Sequence, residues 1–222
     1  MTNGREDSAP APIDWRVWHE GYESDTPLRR RLEIVQRRIG EFLDGFGGSP
    51  VRVVSMCAGE GRDLLGALDR RERRDITGRL VELDPELADR ARLNVESLGL
   101  SDISVVVGDA ADTRLYRDSV PADLVLVCGV FGNISDEDIE KTLRALPMFA
   151  AHGATVIWTR HRREPDMTVK IRRWLEESGF ENTVYEPVPN SDTLGTVGVA
   201  RFVGQTQPLV DEHLFTFNRK TL

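Results

Sequence analysis

Residues 51–65 read VRVVSMCAGEGRDLL. The first six are an apolar run of the kind that forms a buried strand, and the rest place Gly59 and Gly61 directly before a helix-like segment. Glycines at such a turn let the backbone pass close to a bound nucleotide, and the free amides at a helix start can face a negative group. A tight strand-to-helix turn without any ligand explains the same residues, so other features must separate the two interpretations.

Two carboxylates follow at the ends of the next two predicted strands. Glu82 comes about 20 residues after Gly61, the spacing at which a carboxylate can accept both hydroxyls of a ribose. Asp109 ends the third strand and therefore reaches the same carboxyl-terminal edge, where open α/β sheets bind their ligands. Either acid alone is more simply a loop or helix-capping residue. A glycine turn and two acids on three successive strands together predict a nucleoside site.

The chain after residue 50 alternates short apolar runs with helix-like segments. The predicted strands are Val51–Met56, Leu80–Leu83, Ile103–Val107, Leu124–Cys128 and Thr155–Thr159, and the helix-like segments lie near 61–74, 85–98, 135–150 and 167–178. Such alternation is typical of parallel strands joined by helices, and only the connection 110–121 looks irregular. The last strand-like runs have no helix between them and predict an antiparallel hairpin: Thr183–Glu186, Val197–Val203 and Leu214–Phe217. The pattern predicts a Rossmann-like, doubly wound α/β fold.

The sequence divides into three predicted segments. Residues 1–12 are polar and contain two prolines, so they cannot offset their ordering entropy by burial and are predicted to be a disordered tail. Residues 13–48 carry aromatic and aliphatic side chains at helical spacing, which predicts an N-terminal helical cap with the arginines of residues 29–31 on its solvated face. Residues 49–222 are predicted to form the α/β domain.

Composition argues against several classes of partner. The 29 lysines and arginines are outnumbered by 37 aspartates and glutamates, and the formal net charge of −8 disfavours nucleic acid and favours a small-molecule partner. No apolar run approaches the roughly 20 residues that span a bilayer, and the polar start lacks a signal-peptide core, so a cytoplasmic protein without membrane contact is expected. The two cysteines, Cys57 and Cys128, fit no zinc spacing, and no metal is expected.

These motifs, in this order, resemble those of the class I S-adenosylmethionine-dependent methyltransferases over about residues 50–203. Residues 55–61 look like that family's glycine signature, residues 82–85 like its ribose-binding acid, and residues 108–110 like its adenine-binding step. The resemblance implies a seven-stranded sheet, S-adenosyl-L-methionine as cofactor and S-adenosyl-L-homocysteine as product. By the same likeness Glu82 holds the ribose, Asp109 holds the adenine amino group, and the Ala110 amide lies beside it.

Two residues depart from the family's signature. Ser55 stands where the family usually has an acid, and Cys57 where it usually has its first glycine. A serine cannot carry the charge of an acid, so contacts to the methionine end of the cofactor are expected to pass to Arg62 or Asp63. The predicted cofactor-binding residues are Cys57, Gly59, Gly61, Arg62, Asp63, Glu82, Leu83, Asp109, Ala110 and Cys128.

Methyl transfer is an in-line displacement that depends mainly on positioning and on the exclusion of water, so no universal catalytic residue is expected. Asn133 follows the fourth strand, in a segment unlike the Asn-Pro-Pro-Tyr type of base and glutamine methylases. His161 follows the fifth strand as a candidate base, with Arg160 and Arg162 as candidate clamps for an anionic substrate. Tyr22 is the third catalytic candidate, because the N-terminal helices of similar enzymes often fold over the cofactor cleft. Turn, solvated-loop or packing roles explain the same residues.

The sequence is also compatible with two other functions. A nicotinamide dehydrogenase shares the strand, the glycine turn and the acid, but Leu64 occupies the position of the third glycine in its fingerprint, and the chain has no Tyr-x-x-x-Lys pair. The second alternative is a non-catalytic module that binds S-adenosylmethionine without turnover, since a fold persists without its activity.

Overall fold

A computed structural model of the chain describes residues 26–48, 50–190 and 195–218. The predicted tail at 1–12, the first half of the predicted cap and Tyr22 lie outside the described residues. Seven strands form one sheet in the order β3-β2-β1-β4-β5-β7-β6, which confirms the predicted seven-stranded, doubly wound α/β fold. The strands are β1 Val51–Met56, β2 Ile76–Glu82, β3 Ile103–Val107, β4 Ala122–Val127, β5 Ala150–Arg160, β6 Phe180–Pro187 and β7 Thr196–Phe202.

Strands β1 to β6 run in the same direction, and in the described sheet only β7 runs antiparallel to them. The β1 strand pairs in parallel with β2 on one side and with β4 on the other, and β7 lies antiparallel between β5 and β6. The strand order therefore reverses at β1, between β2 and β4. Open α/β sheets bind ligands at such a reversal, outside the carboxyl ends of the strands.

Within residues 26–48, 50–190 and 195–218, five helices cover the two faces of the sheet, together with short 3-10 turns at Thr113–Ser119 and Leu146–Met148. The helices are α1 Pro27–Gly45, α2 Leu64–Asp69, α3 Pro85–Ser97, α4 Asp136–Ala145 and α5 Thr168–Glu177. Apolar residues of α1 and α2 share one buried cluster with β1 and β2, and those of α4 and α5 share another with β4 and β5. Both faces of the central strands are thus buried, as their unbroken apolar runs predicted.

Two helical predictions were too long for identifiable reasons. Residues 61–74 give only the short α2, because the chain turns away after Asp69 and Arg73 donates hydrogen bonds to the carbonyls of Leu43 and Phe46 at 3.0 and 2.9 Å. The segment 135–150 gives α4 only as far as Ala145, since Pro147 follows and the chain tightens into a 3-10 turn. The irregular connection 110–121 is the 3-10 turn Thr113–Ser119.

The predicted strand Leu214–Phe217 is wrong. These residues are not part of the sheet, and they make only isolated bridges: His213 pairs with Asp112 and Phe217 with Ile134. The apolar run exists because Leu214 and Phe215 are buried against the loops at the carboxyl edge of the sheet. Within the described ranges, no helix is both long and apolar enough to cross a membrane.

Candidate functional site

The carboxyl ends of the central strands open into one cavity of about 600 Å³. Nine of the ten residues predicted to bind cofactor line it, namely Cys57, Gly59, Arg62, Asp63, Glu82, Leu83, Asp109, Ala110 and Cys128. The tenth, Gly61, shapes the turn instead: its φ is +74°, and a Cβ there would lie 2.6 Å from a methyl carbon of Leu65. The strand-end acids predicted from their spacing therefore do converge on a single site.

The turn after β1 depends on backbone conformations that favour glycine. Cys57, Gly59 and Gly61 have φ values of 54°, 56° and 74°. Such values are uncommon for a residue with a side chain, so Cys57 holds the conformation of the glycine it replaces at some cost in strain. The backbone N–H of Ala58 donates to the Val81 carbonyl at 2.9 Å, which fastens the turn to the end of β2.

Glu82 joins the glycine turn to the start of α3. One carboxylate oxygen accepts the Gly59 N–H at 2.7 Å, and the other accepts the Asp84 N–H at 2.9 Å. Burial raises the pKa of Glu82, although these backbone hydrogen bonds oppose the shift by favouring the charged form. Each carboxylate oxygen has a second lone-pair direction. A buried, fixed carboxylate of this kind can accept two neighbouring hydroxyls.

The neighbouring acid Asp63 begins α2. Its side chain accepts the Leu64 N–H at 2.7 Å, and burial raises its pKa to about 6. Arg62 is held by Glu60, whose buried carboxylate also pairs with Arg90, each at 2.8 Å. The charge of Asp63 in the cavity wall therefore depends on the pH near 6.

Ser55 does not replace the acid expected at its position. It is buried within β1, and its hydroxyl has no hydrogen-bond partner in the part of the chain that the structure describes. The Ser55 side chain is also absent from the cavity lining. Arg62 and Asp63 do line the cavity, and the expected contacts of either residue with the methionine end of the cofactor stay a prediction.

Asp109 lines the same cavity, just after the end of β3. Its two oxygens are both engaged, since one accepts the Ala111 N–H at 2.9 Å and the other lies 2.9 Å from Nε2 of His213. Leu83 contributes an apolar surface that is 67% exposed, although it follows a buried strand. An exposed leucine beside an exposed carboxylate can contact the face and the polar edge of a flat ring.

Both cysteines line the cavity and are free thiols. Burial raises the pKa of each thiol, and the nearby Glu82 and Asp109 raise that of Cys57 further. The Cys128 thiol lies within electrostatic range of Asp63 and of Arg31 from α1. Both thiols are therefore protonated at neutral pH and act as small apolar groups.

Two of the catalytic candidates lie beside the cavity and are not among the residues that line it. Asn133 donates its side-chain N–H to the Gly129 carbonyl at 2.7 Å and so closes the turn after β4. The ring of His161 packs on Gly132, and its Nδ1 accepts the Arg163 N–H at 3.3 Å. Burial, with the charges of Arg160 and Arg163, lowers the pKa of His161 to about 4. Gly129 and Thr159, at the ends of β4 and β5, form the nearby cavity wall.

Sequence reasoning missed two groups of cavity residues. Arg31, Leu32 and Val35 reach the cavity from α1, so Arg31 does not lie on the solvated face expected for it. His213, Phe215, Thr216 and Phe217 reach it from the C-terminal segment that was interpreted as a strand. The aromatic, apolar composition of that segment was a usable signal, because such residues are rarely left exposed. No group of residues suited to hold a metal ion occurs among the described side chains.

Comparisons with known proteins identify this arrangement. A family model described as "Putative methyltransferase" matches residues 28–179. No curated protein matches the sequence. Among solved structures, magnesium protoporphyrin IX methyltransferase from Synechocystis PCC 6803 with bound SAM is 12% identical and superposes with a TM-score of 0.66 over 85% of this chain and 90% of that one.

Two further structures are similar in fold. An rRNA methylase from Streptococcus thermophilus is 11% identical, with a TM-score of 0.57 over 74% of this chain and 94% of that one. Fibrillarin from Aeropyrum pernix, in complex with S-adenosyl-L-methionine, is 17% identical, with a TM-score of 0.56 over 74% of each chain. At these identities the likeness concerns the fold, whereas the family model covers more than half of the sequence and excludes a dehydrogenase. The chain therefore belongs to this methyltransferase family, and its fold is that of the class I S-adenosylmethionine-dependent methyltransferases.

Proposed function

We propose that the cavity binds S-adenosyl-L-methionine and that the enzyme transfers its methyl group to a small-molecule acceptor. The observation that carries the proposal is Glu82, a buried carboxylate fixed by the Gly59 and Asp84 amides at the cavity wall. Its two oxygens suit the two hydroxyls of a ribose, and the surrounding cavity has the size of a small-ligand site.

The adenosine end of the cofactor is assigned to the ends of β2 and β3. Glu82 accepts the ribose hydroxyls, and Leu83 packs on the face of the adenine. Asp109 accepts a hydrogen bond from the adenine amino group, with the Ala110 amide beside it. The support is that these four residues line the same cavity, at the ends of the neighbouring strands β2 and β3.

The methionine end is assigned to Asp63 and Arg31. The carboxylate of Asp63 takes the ammonium group that the family's usual acid would hold, because Ser55 is buried away from the cavity. The Arg31 guanidinium takes the carboxylate. Both side chains line the cavity, and both lie within electrostatic range of the same thiol, that of Cys128.

When bound, the sulfonium supplies an electrophilic methyl group with a good leaving group behind it. The residues of the chain hold the two reactants in line and exclude water, which are the main contributions that this reaction needs. Buried residues on two sides of the cavity, Val35 of α1 and Phe215 near the C-terminus, provide the exclusion. His161 and Asn133, on the loops after β5 and β4, are proposed to contact the acceptor or to shape its site, and Tyr22 remains a candidate from the N-terminal cap.

A small-molecule acceptor is favoured by the formal net charge of −8, which opposes nucleic-acid binding. The cytoplasmic location expected from the sequence belongs to the same proposal. To test it, the enzyme is incubated with S-adenosylmethionine labelled in its methyl group and an extract separated by size. Label in a low-mass product other than S-adenosylmethionine itself, formed only when the enzyme is present, supports the proposal. Label in RNA or protein contradicts the acceptor class, and no label with any fraction favours the non-catalytic alternative.

A further inference from the structure

The residues after β7 run from the amino end of β5 to the carboxyl edge of the sheet as a strap, here defined as residues 205–218. The strap is fixed by backbone hydrogen bonds from Gln207 to Pro147 at 3.0 Å, from Leu214 to Ala111 at 2.9 Å and from Asn218 to Asn133 at 2.7 Å. The Lys141 ammonium also donates to the His213 carbonyl at 2.7 Å. The contacts of Leu214 and Asn218 connect the loop after β3 with the loop after β4.

The strap forms part of the cavity wall. Phe215 is buried there, and its ring meets that of Phe217 edge to face with the ring centres 5.7 Å apart. The wall also contains His213, whose Nε2 lies 2.9 Å from the Asp109 carboxylate. Because a carboxylate only accepts hydrogen bonds, Nε2 is the donor in this pair.

We infer that the strap is a cofactor-binding element and that His213 is a positioning residue that holds Asp109 in the orientation that recognises the adenine amino group. The inference rests on the proposed function, since it needs Asp109 at the adenine edge. Its own observation is the contact between the strap and that carboxylate, which no part of the family signature contains and which lies beyond residues 28–179 that the family model matches.

The physical reason is the geometry of Asp109. The side chain is about half exposed, so burial alone does not fix it. The Ala111 amide holds one oxygen and the His213 ring holds the other, which together restrict both side-chain torsions. Each oxygen retains a lone pair for an incoming N–H donor. Without His213 the carboxylate rotates, and its selectivity for a donor at the adenine edge declines.

The experiment compares two ligands that differ only at that edge. S-adenosylhomocysteine has an amino donor on its base, and S-inosylhomocysteine has a carbonyl oxygen there. Calorimetry on the full chain is expected to give the wild type at least a tenfold preference for the adenine ligand, the scale of one hydrogen bond to a charged group. In His213→Ala this preference should fall to about threefold or less, mainly through weaker binding of the adenine ligand.

The conservative variant His213→Gln keeps an N–H donor near the position of Nε2 and should recover most of the preference. The matched control is His152→Ala, since His152 is an exposed histidine whose ring contacts the Gly204 carbonyl outside the cavity. This variant should behave as wild type.

Four outcomes would overturn the inference. If His213→Ala binds both ligands more weakly by the same factor, the strap has only a structural role. If His213→Ala binds S-adenosylhomocysteine more tightly than the wild type does, His213 competes with the adenine amino group for Asp109. An unchanged preference in Asp109→Asn would remove the Asp109 assignment itself, and with it the proposed adenine site. A preference lost in Asp109→Asn but retained in His213→Ala would remove only the role of His213.

Discussion

The Glu82 carboxylate accepts the Gly59 N–H at 2.7 Å, and this hydrogen bond joins the end of β2 to the glycine turn after β1. The same carboxylate accepts the Asp84 N–H at 2.9 Å. Glu82 thus serves the fold and the proposed ribose site at once. A test of its binding role must therefore measure ligand affinity and protein stability separately.

The variant Glu82→Gln keeps one of the two acceptors and turns an NH2 group toward the other backbone donor, so some loss of stability is expected beside any loss of binding. Glutamine keeps the shape and one carbonyl acceptor but loses the charge, so we expect S-adenosylhomocysteine to bind about 10 to 100 times more weakly, equivalent to about 1.5–3 kcal/mol for a charged hydrogen bond. Calorimetry measures the affinity, and thermal unfolding measures the stability separately. The control is Glu96→Gln, an exposed glutamate on α3 outside the cavity lining. Wild-type affinity in Glu82→Gln would contradict the ribose assignment.

The titration of Asp63 should make the affinity for S-adenosylhomocysteine depend on pH. Its pKa is raised to about 6, so the carboxylate that we assign to the cofactor's ammonium forms only as the pH rises through that value. We expect the affinity for S-adenosylhomocysteine to increase between about pH 5 and pH 7 and then to level off. Asp63→Asn should bind weakly at neutral pH and lose this increase. Calorimetry at several pH values measures both effects, and a wild type without the increase would exclude Asp63 from this role.

The raised pKa of Asp63 also predicts how the stability of the ligand-free protein changes with pH. Because the folded-state pKa of Asp63 lies above its ordinary value of 3.8, the folded state holds this proton more tightly than the unfolded state does. The resulting stability is present below about pH 4 and is lost as the pH rises through about 6. Denaturant unfolding should show a smaller loss over this window in Asp63→Asn than in the wild type. Identical slopes would mean that Asp63 titrates normally.

His161 should affect turnover and leave cofactor affinity unchanged. It lies on the loop after β5 beside the cavity, outside the residues that line it. Its pKa is lowered to about 4, so the ring is neutral throughout the neutral range. We expect His161→Ala to lower kcat/KM for the true acceptor with an unchanged dissociation constant for S-adenosylhomocysteine. Unaltered kcat/KM would leave His161 as a loop residue, and His152→Ala serves as the control for a surface histidine.

Gly78 in β2 has a packing role that can be tested by stability alone. It pairs with Val53 of β1, and a Cβ at Gly78 would lie 2.0 Å from the Val53 carbonyl oxygen. We expect Gly78→Ala to lower the free energy of unfolding by about 1–3 kcal/mol, as overpacking does in cores. Gly45→Ala is the control, because no described atom lies within 4 Å of its added methyl group. Denaturant unfolding of the two variants measures the difference, and equal stabilities would contradict the β1–β2 register.

The sequence alone was enough to predict those site residues that lie at the ends of strands. Glu82 and Asp109 could be placed because a parallel sheet brings its carboxyl ends to one edge, and their spacing from Gly61 fixed the order. Arg31 could not be placed, because helical periodicity gives the apolar face of α1 but not the reach of an arginine at its border. His213 was missed because an apolar run next to it fits a strand as well as a strap, and only tertiary contacts distinguish the two.

The two cysteines provide the last test. They follow the neighbouring strands β1 and β4, in which Ser55 pairs with Leu126. Cys57 nevertheless packs with the apolar cluster under α4, whereas Cys128 packs with the cluster under α1. The two side chains therefore lie on opposite faces of the sheet. Burial raises the pKa of both thiols, so little thiolate exists at neutral pH and alkylation should be slow. Thiol counting after denaturation without reductant should find two free thiols. Because both line the cavity, saturating S-adenosylhomocysteine should slow the alkylation of each further in the native protein. A disulfide formed under mild oxidation would contradict the opposite placement, and labelling unaffected by the ligand would exclude the cavity as its binding site.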